Sequence, residues 1–206
     1  AVGLLPMATG SAAARPAVQA ANLALDKPIE ASSWTQDYVA RNANDNSTST
    51  YWESSGLPST LTVKLGANAD VESVVVKLNP DPIWSARTQS IEVLGREQSA
   101  TTFSSARARA DYTFSPGENQ NSVTIPVSGR FADVQLKIFS NSSGYGGQVA
   151  EFQVMGTTAP NPDLTISSLA WDPAQPTEGD KITVDATVRN TGSAASAATT
   201  VNVSLD

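Results

Sequence analysis

The sequence predicts an all-β protein: an eight-stranded antiparallel jelly-roll sandwich followed by a truncated immunoglobulin-like β-sandwich. Three observations carry this. From Ile29 onward, short runs alternate apolar and polar residues with the period of two expected of a half-buried strand. Asn, Gly, Ser and Pro separate the runs, and these are the residues of turns. No run of ten or more residues keeps a capped 3.6-residue apolar period, so little helix is expected.

The clearest alternating runs, seven of about eight expected strands, are in order Thr60–Leu65, Ser73–Leu78, Ser90–Val93, Tyr112–Phe114, Ser122–Ile125, Phe131–Ile138 and Glu151–Val154. Each has one apolar face, which two antiparallel sheets packed face to face can bury. Two long loops, Trp34 to Tyr51 and Asn79 to Arg87, stand out as places for binding groups on a rigid scaffold. Thr157 to Pro162 reads as a linker. Beyond it, runs at Asp163–Ile166, Lys181–Val188 and Thr200–Leu205 provide three strands, too few to close an immunoglobulin-sized sandwich. The expected organisation is therefore residues 1–20 as a leader, 21–156 as the first domain, 157–162 as a linker and 163–206 as a partial spacer domain. The leader rests on apolar Ala1–Ala8 followed by small-x-small positions such as Ala12-Ala13-Ala14, as at a secretory cleavage site; an Ala-rich linker is the alternative.

With 206 residues the chain can bury a real core, and its 40% apolar share is that of a globular protein. A net charge of −7 without any basic run removes the driving force for nucleic acid or an anionic membrane surface. The chain has neither Cys nor His. That excludes Ser-His-Asp and Cys-His catalysis and zinc or haem ligation through thiolate or imidazole. Chemistry is left to carboxylates, Lys, Tyr or an oxygen-bound metal.

Two segments about a hundred residues apart supply hard oxygens: Ala43 to Trp52, with Asp45 and Thr50, and Ala150 to Gly156, with Glu151. Two carboxylates, a hydroxyl and loop carbonyls are the donors that Ca2+ takes in sets of six to eight. The same residues also fit a solvated polar loop ending in a core Trp52, beside an ordinary strand.

The pattern Ala43-x-Asp45-x-x-x-x-Thr50-x-Trp52, then Trp84-x-x-Arg87-x-Gln89-x-Ile91-x-Val93, then Gly147-Gln148-Val149-Ala150-Glu151-Phe152 resembles the discoidin, or coagulation-factor type C, superfamily. Within it the bacterial family 32 carbohydrate-binding modules are most similar. The resemblance implies a structural Ca2+ held by Asp45, Thr50 and Glu151 through side chains and by Asn42, Ser47 and Ala150 mainly through carbonyls. Where the family usually has Gly after the Asp, this chain has Asn46, the non-Gly residue that best accepts positive φ. Residues 161–206 resemble the cell-adhesion-related CARDB domain through Pro162-Asp163-Leu164, Trp171-x-Pro173, Pro176-x-x-Gly179-Asp180 and Val188-x-Asn190-x-Gly192, which makes Trp171 a core or edge residue of a spacer.

Sugar recognition needs an aromatic face for the apolar side of a pyranose and planar donors and acceptors for its hydroxyls. The family's site lies in loops at one end of the sandwich. Those loops here offer Trp34, Gln36 and Tyr38, then Trp84 and Arg87, then Asn141 and Tyr145, with the Arg87 fork able to take two hydroxyls and Trp52 assigned to the core. The implied function is a non-catalytic carbohydrate-binding module of a secreted bacterial polysaccharide-degrading enzyme, monomeric within a longer chain. A glucan is the first expected ligand and a galactoside the second. An adhesion domain for a protein or lipid surface is the alternative. A glycosidase is the weaker rival, because Asp45 and Glu151 are claimed by the metal.

Overall fold

The computed structural model describes residues 19–192, 194–196 and 199–200. The expected leader falls almost wholly outside them, as does the strand expected over Thr200–Leu205. The first unit contains β1 (Ala21–Asn22), β2 (Ile29–Ala31), β3 (Trp52–Glu53), β4 (Ser59–Lys77), β5 (Arg87–Arg96), β6 (Ser104–Phe114), β7 (Ser122–Asn141), β8 (Gln148–Val149) and β9 (Glu151–Thr158). Two 3-10 turns, Ala40–Ala43 and Pro82–Trp84, lie in the two long loops, and no α-helix occurs among the described residues. The fold is antiparallel and all-β, as the alternation predicts.

Four of the expected strands are two. Thr60–Leu65 and Ser73–Leu78 belong to one bent strand, β4, and Ser122–Ile125 and Phe131–Ile138 belong to another, β7. Ladder pairing between them breaks from Lys64 to Ala69, where Gly66 takes φ +91°, and again from Val71 to Ser73. Such bulges bend a strand without ending it. The first half of β4 pairs with β2 and with the second half of β7, which continues to β5 and β6; the second half pairs with β9, which carries β1. One hydrogen-bonded sheet is thus folded into a sandwich. Turn-like residues at 66–70 and 126–130 read as strand ends, although the chain uses them as corners.

Both halves feed one core. Leu61, Val63, Leu136, Ile91 and Val93 come from one, and Val74, Val76, Phe152 and Val154 from the other, all fully buried. Phe131 covers Gly95 and Gly129, at each of which a Cβ would lie within 2.3 Å of the ring. Trp52 is fully buried, as expected, and its Nε1 donates to the Ser33 carbonyl at 2.9 Å.

In the second unit β10 (Leu164–Asp172) pairs antiparallel with β11 (Thr183–Asn190). Trp171 is not a core residue there: it is 52% exposed, on a two-stranded sheet that no second layer covers among the described residues.

Candidate functional site

The short β3–β8 pair organises one end of the sandwich. Trp52 sits opposite Val149 and Glu53 opposite Gln148, so the first long loop is clamped to the chain that enters β9. Above it, Ser54 N donates to the Gly147 carbonyl at 3.0 Å, and Gly147 N donates to Ser54 Oγ at 2.7 Å. Gly146 is required there, since a Cβ would stand 2.0 Å from the Ser54 carbonyl oxygen. The loop of Asn79 to Arg87 is set by Asp81, whose carboxylate accepts from Ile83 N at 2.9 Å and caps the 3-10 turn that starts at Pro82.

The motif around Arg87 now has a physical reading. Arg87, Gln89, Ile91 and Val93 alternate along β5 and all face inward. Gln89 is fully buried and behaves like a strand: its Nε2 donates to the Gln148 carbonyl at 2.9 Å and its Oε1 accepts from Gln148 N at 3.0 Å. Gln148 in turn holds Glu53 through Nε2 at 3.1 Å and accepts from Asn141 Nδ2 at 3.2 Å and from Arg87. Arg87 is 8% exposed, with one terminal nitrogen on Gln148 and the other on the Trp84 carbonyl. Burial pulls its pKa below the ordinary value, with Glu53 acting in the opposite direction.

An aromatic ladder leans on this polar cluster. Tyr38 stacks on Tyr51 with ring centroids 4.3 Å apart and 20° between planes. Tyr51 meets Trp84 edge-on at 4.7 Å, and the Arg87 guanidinium lies 5.0 Å from the Trp84 ring centre. Burial, then the hydrogen bond with Tyr38, push the Tyr51 phenol up, so it stays neutral and can donate. Beyond the ladder, Tyr145 and Ile83 project from their loops, 96% and 83% exposed.

The residues expected to hold a cation flank the β3–β8 pair, in the loop before β3 and at the start of β9. Asp45 Oδ1 accepts from Ser47 N at 3.0 Å, and Asp45 Oδ2 accepts from Thr50 Oγ1 at 2.7 Å. Glu151 Oε1 accepts from Ser47 N at 3.1 Å across 104 residues of chain. Glu151 is 2% exposed and its Oε2 has no partner. Burial raises its pKa and the nearby Asp45 carboxylate adds to the rise, against the backbone N–H groups of Asn46 and Ser47 and the charge of Lys77, which pull it down. Asn46 has φ +64°, as the missing Gly requires. Among the described residues no three acidic side chains converge.

The predicted ligand residues divide. Tyr38, Trp84 and Arg87 come together, and Asn141 joins them through Gln148. Both terminal nitrogens of Arg87 are used internally while its buried Nε is unpartnered, and Asn141 Nδ2 also donates to the Gly146 carbonyl at 2.9 Å. Arg87 therefore positions Trp84 and Gln148 instead of presenting an open fork. Tyr145 stands at the rim. Gln36 is exposed with φ +50° at the turn before Tyr38. Trp34, 55% exposed, opens onto another concavity, with Val39 and Arg41. Of the metal set, Asp45, Ser47, Thr50 and Glu151 are together; Asn42 uses its amide on the Asp37 and Tyr51 carbonyls, and Ala150 N donates to the Lys77 carbonyl. Sequence reasoning missed Tyr51, Glu53 and Gln148. The signal for the last was its place inside the quoted Gly147–Phe152 motif.

Residues 42–134 match the family profile described as a NedA-like, galactose-binding domain of the F5/F8 type C group, and residues 161–206 match CARDB. No curated protein matches the sequence. Among solved structures, the family 32 module of Clostridium perfringens NanJ in complex with galactose superposes with a TM-score of 0.54 at 18% identity, covering 66% of this chain and 98% of that one. The C. perfringens module CpGH89CBM32-4, in complex with GlcNAc-α-1,4-galactose, gives 0.53 at 18%, covering 71% and 100%. A chitosan-binding module of a Paenibacillus chitosanase/glucanase gives 0.51 at 23%, covering 66% and 98%. The first unit thus has the discoidin-type fold and resembles family 32 modules, and residues 161–206 resemble CARDB.

Proposed function

We propose that the first unit is a non-catalytic carbohydrate-binding module whose ligand seats on the loops carrying Tyr38, Tyr51, Trp84 and Tyr145. The observation that carries this is the aromatic ladder braced by buried Arg87 and Gln148, which reach the half-buried Glu53. Ring faces take the apolar side of a pyranose, while Glu53 and the neutral Tyr51 hydroxyl exchange hydrogen bonds with its hydroxyls and Gln148 holds Glu53 in place. Preorganisation by the network lowers the ordering entropy that a weak ligand must overcome. One such site binds with a Kd on the order of 0.1–1 mM, roughly −4 to −5.5 kcal/mol. The family description and the galactose-bound NanJ module favour a galactoside; a glucan is the other candidate.

In this reading Asp45, Thr50 and Glu151, with carbonyls of Asn42, Ser47 and Ala150, hold a Ca2+ that neutralises the buried Glu151. The support is the unpartnered Glu151 Oε2 beside a second carboxylate. The ion supplies cross-linking charge between the first loop and β9, and no chemistry on the ligand. Attachment to a secreted bacterial polysaccharide-degrading enzyme, with CARDB as spacer, completes the proposal; tethering then converts weak binding into avidity.

The test is a glycan array with wild type and Tyr51→Ala. Signals on galactosides or glucans that the substitution abolishes support the reading. An array with no signal for the wild type overturns it.

A further inference from the structure

A row of concavities runs from the first long loop across the flank of the sandwich. It consists of three adjoining concavities of about 420, 350 and 510 Å³. The first, which Trp34 and Arg41 line, shares Glu30 and Ala31 with the second; the second shares Lys64 and Arg96 with the third. Neither Tyr51 nor Trp84 lines any of them.

Its floor is the outward face of β2, β4, β7 and β5. Leu61, Val63, Val134 and Leu136 are fully buried, so the alternate positions Thr62, Lys64, Asp133 and Gln135 point outward. Register aligns them in rows across the strands: Glu30 beside Thr62, Thr62 beside Gln135, and Lys64 beside Asp133 beside Arg96. Four neighbouring strands at about 4.8 Å spacing give a floor on the order of 14 Å across, more than one pyranose ring fills.

The chemistry of the floor selects its occupant. Each central cation is matched by a carboxylate, Lys64 by Glu30 and Arg96 by Asp133, so the surface has little net charge to attract phosphate or a uronic acid chain. It is dense in short-range donors and acceptors, such as Gln135 Nε2 held on Thr62 Oγ1 at 2.8 Å. Aromatic surface stands at the mouth, where Trp34 is exposed, and in the middle concavity, where Phe103 lies beneath Arg96 at 4.9 Å. Paired polar groups bordered by rings suit a ligand that is itself a row of hydroxyls and apolar ring faces.

We propose that this groove is a second glycan surface, which takes several consecutive sugar units of an uncharged polysaccharide laid across β2, β4, β7 and β5. Trp34 is then the platform at its mouth. The inference rests on the module being a carbohydrate binder. It assigns chain length to the flank and recognition of a single residue to the loop end.

Affinity electrophoresis in soluble β-glucan, starch and galactan, with calorimetry on glucose and galactose, tests it on the full chain. Thr62→Trp fills the groove from an outward strand position, and Gln135→Ala removes a floor contact without adding volume. Both variants must keep the wild-type melting temperature; if the bulky one does not, Gln135→Ala and Trp34→Ala carry the test. At least tenfold weaker binding of the polymer by Thr62→Trp, or threefold by Gln135→Ala, is expected, with monosaccharide affinity unchanged. Polymer binding within twofold of wild type overturns the groove alone, as does equal loss of monosaccharide and polymer, or a wild type that binds monosaccharide and no polymer. A wild type that binds no sugar in either format overturns the carbohydrate reading itself.

Discussion

Glu151 is the residue whose state most constrains the rest. A carboxylate that is 2% exposed, with one oxygen unpartnered and Asp45 nearby, is destabilising unless a cation compensates it. Two outcomes follow from the Ca2+ proposal. At free Ca2+ 100-fold above Kd, binding stabilises by about 2.7 kcal/mol, so chelation with EGTA lowers the melting temperature by roughly 5–10 °C. Glu151→Gln removes the buried charge, which raises the melting temperature of the chelated protein and abolishes its response to added Ca2+; Asp45→Ala abolishes the response without that gain. A chelated Glu151→Gln protein less stable than chelated wild type would count against the site. The residues of this cluster were legible in sequence, because Asp45, Thr50 and Glu151 were marked by residue type and motif, and the fold gathers them around Ser47. The orphaned oxygen was not, since burial is a property of the packed chain. Arg87 was legible as important and illegible in role: a sequence shows the fork, and only the fold shows that Gln148 and the Trp84 carbonyl already occupy it.

At the scale of elements, β5 and β8 are joined by a side chain acting as backbone. Gln89→Ala leaves the Gln148 N–H and C=O without those partners in a buried site. The expected cost is about 1–3 kcal/mol for each unmet group, measured by denaturant unfolding, with sugar affinity falling because Gln148 loses its anchor. Gly146→Ala forces a Cβ into the Ser54 carbonyl and displaces the loop that carries Tyr145. It should weaken glycan binding severalfold by calorimetry; unchanged affinity would place Tyr145 outside the site. Strand alternation was easy to read, because inward positions such as Leu61 and Val63 recur with a strict period. The corners of β4 and β7 were not, since Gly66 and Gly129 look like strand ends unless the partner ladder is known to continue.

At the scale of the molecule, one folded sheet supplies both an end and a flank. The end is built from loops that long-range bonds tie to β3 and β8; the flank is built from strand faces. Trp52 underlies the clamped end, and Trp52→Ala should cost about 3–5 kcal/mol, with both sugar binding and the Ca2+ response lost together. Trp34 was grouped with the end loops in sequence because it is close to Tyr38 along the chain; its concavity lies between that loop and β2. The β10–β11 pair leaves Leu164, Ile166, Leu169 and Trp171 exposed.

The claim that the loop end binds sugar is tested most directly by isothermal titration of galactose and glucose oligosaccharides into Ca2+-loaded wild type and Tyr38→Ala. The account predicts a Kd on the order of 0.1–1 mM for the wild type and at least tenfold weaker binding for Tyr38→Ala, with the melting temperature preserved. Wild-type affinity in the folded Tyr38→Ala protein, or no heat of binding from the wild type with any of these sugars, would contradict it.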